Sequence, residues 1–590
     1  MKHFKIKIYS LLAVSIFFGA CEKSLDPKTD SSYGDEFVWT LPDKAEGVLI
    51  NAYANIPARF DSYLGNNFLD AATDNAVSNS YNSAIFNLGA GGLSTTDNPV
   101  GSWFNNYTQL RNINLFLENG LTDKVTYDLT SKTNDKLFKD RLKGEALFLR
   151  AYWSFLLLQQ YGGKTNDGQA LGYPILLKTL TDEEAKNTNI VRNTYEECVL
   201  QILADLDAAQ LLLPVEYIGG DNIVGIKGFG RANKKTCVAL KSRVTVYGAS
   251  PAYQPNSIAQ ITAMGQFNVT NQAQYIQKWE RAAKYAAEAI PIIGVYRSLK
   301  ATDFNLTPVP DDFLFRRFST NNSTERAQYP PYNFGNATTG PSQNLVEAFP
   351  ALNGYPITDP RSNFDPNNPY ANRDPRLSLT VYYNGSIFDG RKIEVFAEGF
   401  DSPNRFANAT RTGYYLRKWL SSKTGLLNPE NVQTDFNYHV MLRKAEVYLN
   451  YAEAANEAYG PNGIAPGATL SAADVIKNVR STAGLTNTSS VAYINEVAAM
   501  GKNEFRKLIQ NEIRLTFAFE NNRFFNMRRW ILPLNETITG VTVTKINSTT
   551  FQYQKNQVEK RMFNDIKYYY LPLPYDEISK SPSLINNMGW

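Results

Sequence analysis

Residues 142–163 read LKGEALFLRAYWSFLLLQQYGG. From Ala146 to Leu158 the single charge is Arg150. A helix here is apolar nearly all round, so it must be buried on several sides. It is also far shorter than the roughly 20 residues that a membrane span needs, and Gly162-Gly163 supplies a stop. Glu145 and Arg150 stand too far apart to pair along one turn, so each is expected to bond to another helix. Neighbouring segments offer such partners. TYEECVLQILADLDAAQL (194–211) opens on a Thr194-x-x-Glu197 capping box and then places Cys198, Ile202 and Leu206 on one face.

The same periodicity recurs in 232–249, 279–290, 442–458 and 504–519, with Ala and Gly set against large aromatics. Small faces against large ones let antiparallel helices approach closely and stack. The pairs cluster at about 105–160, 194–250, 273–291 and 440–520, without a strict 34-residue period. The fold class is therefore mainly α: tetratricopeptide-like helical repeats form a scaffold, and a loop-rich, irregular second layer lies over it. The scaffold is expected at about 36–291 and 436–535, a loop-rich insertion at about 292–435 and a C-terminal segment at 536–590, all in one domain. The insertion carries Pro-, Asn-, Gly- and Tyr-rich runs such as AQYPPYNFGNATTGPSQN (327–344). Residues 61–102 have the same texture. Irregular insertions on a helical frame are natural places for ligand contacts.

Composition narrows the function. The first 21 residues, MKHFKIKIYSLLAVSIFFGAC, combine Lys2, Lys5 and Lys7, a short apolar run and Gly19-Ala20-Cys21. This predicts a signal peptide over 1–20 and a lipid-bearing Cys21, although Phe18 stands where Leu is usual. An ordinary signal with a chance cysteine is the alternative. A polar tether over 21–35 follows, so the mature chain would be anchored to a membrane and not threaded through it. The formal charge is +4, and loss of three lysines with the leader brings it close to neutral. No basic stripe marks a nucleic-acid binder. Once His3 is removed, His439 is the only histidine, and besides Cys21 only Cys198 and Cys237 carry thiols. No multi-histidine zinc site, disulfide framework, phosphate loop or nucleophile elbow is visible, and no metal or cofactor is expected.

Six pieces together point one way: LKGEALFLRAYWSFLLLQQYGG (142–163), NRDPRL (372–377), RKAEVYLNYAEAANE (443–457), IKNVRSTAGL (476–485), FAFENNRFFNMRRW (517–530) and YYLPLPYDEISKSPSLINNMGW (569–590). In this order, behind a lipidation signal, the chain resembles the SusD/RagB family of outer-membrane nutrient-binding lipoproteins of Bacteroidetes. It departs from the family pattern at Lys444, Ile513, Thr516 and Asn521, and it inserts KTNDGQALG (164–172). Within the motifs, Arg443 and Glu446 can pair at i, i+3. Pro375 marks a turn, with Arg373 and Arg376 expected to anchor it to the helical layer.

The resemblance implies a non-enzymatic protein at the outer membrane, lipid-anchored and facing the cell exterior. It would hold an oligosaccharide, or a peptide in some members, as the lid of a SusC/RagA-like TonB-dependent transporter. A surface glycoside hydrolase is the alternative from another class, and it would need only two suitably spaced carboxylates. A scaffold that packs on the transporter and binds no ligand is a third. Candidate ligand contacts come from the two irregular stretches: Asn67, Asp70, Asp74, Asn75, Tyr81, Asn82 and Trp103, then Tyr329, Tyr332, Phe334 and Tyr355. Trp103 also opens a W-x-x-x-Y-x-x-x-R helical pattern, where core packing competes with ligand contact.

Overall fold

A computed structural model describes residues 35–590 apart from 62–63, 182, 185–188, 218–222 and 224. The predicted signal peptide, Cys21 and nearly all of the predicted tether lie outside the described residues. The scaffold begins with α1 (Pro42–Ala54), α2 (Trp103–Leu115) and α3 (Lys132–Tyr161). It continues with α4 (Tyr195–Leu212), α5 (Lys234–Ala249) and α6 (Gln272–Ile293). After the insertion come α7 (Lys444–Tyr459), α8 (Ala472–Thr482), α9 (Thr488–Ala499), α10 (Lys502–Thr516) and the short α11 (Arg523–Arg529). From α2 to α10 each helix packs on the next, and α7 also packs on α10. This is the stacking of a tetratricopeptide-like array.

The opening segment is the C-terminal half of α3. Its 30 residues make a rod of about 45 Å, capped at the start by Ser131, whose side chain accepts the Asn134 N–H. Phe148, Leu149, Phe155 and Leu157 are fully buried. The rod stops at Gly162, where a Cβ would lie 2.6 Å from the Tyr195 ring. The capping box of Thr194 and Glu197 is present at the start of α4. Arg150 bonds across to Asp205 of α4 at 2.7 and 2.8 Å. Glu145 takes the Tyr53 hydroxyl of α1 at 2.8 Å and pairs with Arg231 at 3.4 Å. Both charges bond between elements, as their spacing requires.

The second layer is built from short pairs of strands. These include β1 (Ala76–Ser78), β2 (Phe313–Asn321), β3 (Thr339–Pro341) and β4 (Asp435–Arg443). They also include β5 (Thr537–Lys545) and β6 (Phe551–Lys560). Antiparallel β1–β3 pairs Ala76 with Pro341 and Ser78 with Thr339, so it joins the two irregular stretches to each other. Antiparallel β4–β2 pairs Tyr438 with Phe318 and Arg443 with Phe313. The insertion is more than loops over helix ends, because it has its own hydrophobic cluster. Trp419 is its hub, with ring centroids of Phe60, Phe304 and Phe313 at 4.9, 5.2 and 5.9 Å.

Two local readings are corrected. Arg443 does not pair with Glu446. It ends β4 and stands at the N-cap of α7, so its backbone is extended and its side chain turns to Glu520 (2.9 Å) and Asp312 (3.4 Å). Glu446 pairs with Arg243 of α5 instead. Pro375 starts a short helix, Pro375–Thr380, with Asp374 as its cap. Arg376 does anchor it to the scaffold through Glu512 of α10 (2.9 Å), which also holds Arg480 (2.7 Å). Arg373 stays within its own layer, on the carbonyls of Val346, Phe349 and Pro369.

Residues 561–590 close the frame. Arg561 donates to the carbonyls of Ala71 and Thr73, each at 2.8 Å. Asn587 donates to Tyr161 O at 3.0 Å, and Arg192 to Ile585 O at 3.0 Å.

Candidate functional site: an aromatic and arginine face

β1–β3 holds the 61–102 and 327–341 stretches side by side, and a third loop, 400–411, runs along both. Tyr81 is 60 % exposed, lies edge-on to Phe86 at 5.3 Å and sits beneath the Arg411 guanidinium at 3.9 Å. Arg411 is fixed from below by Ser78 O (2.6 Å) and Glu559 (3.1 Å). Its backbone N–H is held by Asn79 Oδ1 at 3.2 Å, and Asn79 N–H bonds in turn to Thr338 O at 3.0 Å.

Further along, Tyr332 occupies the short turn Pro331–Asn333 and is followed by exposed Phe334. The Tyr332 ring meets Phe400 at 5.1 Å and Phe406 at 6.5 Å. Arg391 lies over it at 4.3 Å and Arg405 at 5.7 Å. Arg391 is locked by a two-pronged pair with Asp401 (2.6 and 2.7 Å) and by Asn333 Oδ1 (2.7 Å). Burial alone would lower this guanidinium, but the Asp401 carboxylate holds it above its ordinary value. Arg405 is exposed and stacks on Phe400 at 4.6 Å. Phe406 and Arg411 are separated by at most about 17 Å of chain, so the two aromatic groups share one edge of the second layer. Beside Arg411 opens a cleft of about 310 Å³ against the β5–β6 hairpin, with Glu398, Asn404, Thr542, Thr544 and Asn556 in its wall. Exposed rings with a guanidinium against one face, and amide groups nearby, suit a ligand with both apolar and hydroxyl-bearing sides.

Among the sequence candidates, Tyr81, Asn82, Tyr332 and Phe334 are exposed around this face. The others stand elsewhere. Asn67, Asp70, Asp74 and Asn75 are buried. Asp70 accepts from Asn75 Nδ2 and Phe519 N–H, each at 3.0 Å. Asp74 is pinned by Arg523 (2.8 Å) and Arg514 (3.0 Å); burial opposes its charge, but the two guanidinium groups hold its carboxyl well below the usual range. Asn67 bonds to Leu64 O and Thr339. These four side chains knot the frame and present nothing to a surface ligand. Trp103 packs in the core between Tyr107 (4.9 Å) and Tyr161 (5.0 Å). Tyr329 is buried with its hydroxyl on Ser421 O at 2.7 Å. Tyr355 belongs to another locality, against Tyr493 and Arg361.

The readings from sequence missed Arg391, Phe400, Arg405, Phe406 and Arg411. For the last four the signal was present: FDSPNRFANATR (400–411) interleaves aromatic and arginine residues with turn formers.

The model for the SusD family matches residues 313–590, and a second, described as starch-binding associating with outer membrane, matches residues 23–246. The chain belongs to the SusD family. No curated protein matches it. Solved structures share its fold. A SusD-like protein from Bacteroides fragilis is 24 % identical with a TM-score of 0.70, over 94 % of this chain and 99 % of the other. A SusD-like carbohydrate binding protein from the same species is 20 % identical with a TM-score of 0.67, over 92 % and 99 %. A SusD superfamily protein from Bacteroides vulgatus is 16 % identical with a TM-score of 0.61, over 93 % and 99 %. The SusD fold thus accounts for both layers of this chain. Among the described residues, no helix is long and apolar enough to cross a membrane, and no group of three or more His, Cys, Asp or Glu side chains is placed to hold a metal ion.

Proposed function

We propose that this SusD-family chain is a non-enzymatic, cell-surface lipoprotein. It captures an oligosaccharide on the aromatic and arginine face and passes it to a SusC-like TonB-dependent transporter of the outer membrane. The observation that carries the reading is the group of exposed rings, Tyr81, Tyr332 and Phe400, each with a guanidinium over it, those of Arg411 and Arg391 being held in place by ion pairs. A pyranose ring stacks on such a platform by its apolar face while amides and guanidinium groups take its hydroxyls. The description of the second family model and that of the Bacteroides fragilis carbohydrate-binding protein support the ligand class. Asp312 and Glu325, carboxyl groups that burial raises to about 6 and about 7, are enclosed in the frame and remote from solvent, which disfavours a hydrolase built on them. Two or three stacked rings and a few hydrogen bonds, at about 1 kcal/mol each, correspond to millimolar to high-micromolar affinity. Isothermal titration against a panel of oligosaccharides tests the site. Tyr332→Ala and Tyr81→Ala should each weaken binding about tenfold. Unchanged affinity in both variants refutes the placement, and binding of peptides alone reassigns the ligand.

A further inference from the structure

The outer face of the β2–β4 ribbon carries a second group of aromatic side chains. Alternation along the strands sends Arg317 and His439 inward, onto the carbonyls of Ala54, Ile56 and Pro57. It turns their neighbours Arg316, Phe318 and Tyr438 the other way. Phe318 is 58 % exposed and stands opposite Tyr438 in the ladder. Its ring lies 6.1 Å from that of half-buried Phe436. Exposed Phe229, from the segment before α5, adds a third ring, with the Arg316 guanidinium 4.4 Å from its centroid.

Arg316 differs from the arginines of the frame. Those meet carboxylates: Arg243 takes Glu446, Arg376 and Arg480 share Glu512, and Arg443 takes Glu520. The half-buried Arg316 side chain has no hydrogen bond or ion pair among the described residues. Burial lowers this guanidinium from its ordinary value, with Tyr438 and Glu216 opposing. The fold thus partly desolvates a cation without supplying its counter-charge. Beside it opens a pocket of about 60 Å³. The two carboxylates in that wall are engaged, Glu216 by Lys235 at 2.7 Å and Asp311 by Lys444. The volume is the liquid share of about two waters, which admits a carboxylate and excludes a sugar ring. Phe318 lies roughly 7 Å further along the same face. A ring whose carboxylate reaches Arg316 can therefore rest on it.

We propose that Arg316 and Phe318 form a second saccharide site, separate from the exposed aromatic face, which takes an acidic sugar unit with its carboxylate on the guanidinium and its apolar ring face on Phe318. A guanidinium fork matches a carboxylate with two parallel N–H donors, and Phe229 backs the plane of that fork. The place rests on Arg316 and its surroundings alone. The choice of a sugar acid over other carboxylates rests on the oligosaccharide reading above.

Titration of the full chain with oligogalacturonate and oligoglucuronate, each beside its methyl ester, tests the proposal. At least one acid should bind, about tenfold more tightly than its ester. Arg316→Gln keeps much of the stem, removes the charge and should weaken the acid about tenfold; Phe318→Ala should weaken it severalfold. Tyr332→Ala should leave it unchanged, so failure here is distinguishable from failure of the exposed face. Should Arg316→Gln misfold by circular dichroism, Phe318→Ala, at an exposed position, carries the test. Three results overturn the proposal: neither acid binds, whether or not acidic peptides do; the ester binds as tightly as the acid; or a folded variant at either position binds as the parent does.

Discussion

Glu325 offers a quantitative test of the packing in the second layer. It lies on the short helix Ser323–Gln328 and is fully buried. Its Oε1 accepts the Ser421 N–H at 3.1 Å. Burial, with the Asp435 charge adding to it, pushes the carboxyl from 4.5 up to about 7 despite these hydrogen bonds. A carboxyl whose folded pKa exceeds its unfolded one favours folding while protonated. The associated stability is present below about pH 4.5 and is lost as pH rises through about 7. Each tenfold change in proton affinity is worth about 1.4 kcal/mol, so the loss is complete at about 3 kcal/mol. Glu325→Gln cannot ionise, and its amide oxygen can still accept from Ser421. Denaturant unfolding of both proteins across this range should find them within about 1 kcal/mol at pH 5, with the variant about 2–3 kcal/mol more stable at pH 8. A difference that stays flat with pH, or a variant less stable than the parent at pH 8, refutes the assignment of a buried, raised carboxyl.

Two further outcomes are expected. Glu512→Ala leaves Arg376 and Arg480 buried without their shared carboxylate and should cost about 3–5 kcal/mol in equilibrium unfolding; a loss below about 1 kcal/mol would show the two guanidinium groups already satisfied elsewhere. Cys21→Ser should release a folded, ligand-competent protein from the membrane fraction while uptake falls, read by fractionation and titration, and retention in the membrane would exclude the lipid anchor.

The scaffold was legible because its signals are local. Glu145 and Arg150 stand too far apart for one turn, and both bond across to other elements. Thr194 and Glu197 need only three residues of context, and their box forms. Polar loops were harder. Asp70, Asp74 and Asn75 look like surface residues by type, but Arg514 and Arg523, more than 400 positions away, draw Asp74 and Asn75 inward. Polarity alone does not separate a solvated loop from a buried knot of matched charges. Arg443 failed for a related reason: its partner depends on where β4 ends and α7 begins, and the strand pairing with β2 decides that. Tyr81 and Tyr332 belong to two separate stretches of sequence. Their proximity rests on β1–β3, a ladder of three residue pairs spanning about 260 positions, which no local pattern announces.

The closure by residues 561–590 bears on how the molecule is made. Arg561 reaches Ala71 O across 490 positions, and Asn587 reaches Tyr161 O across 426. A chain emerging amino-terminus first exposes those carbonyls, and the apolar flank of α3, long before their partners arrive. Contacts of such sequence separation are slow to form, and closing so long a loop opposes them entropically. The native frame therefore cannot be completed until residues 561–590 have been made. Under the proposed export of an unfolded chain across a membrane, that delay would keep the amino-terminal helices open to transport and defer their final locking to the far side.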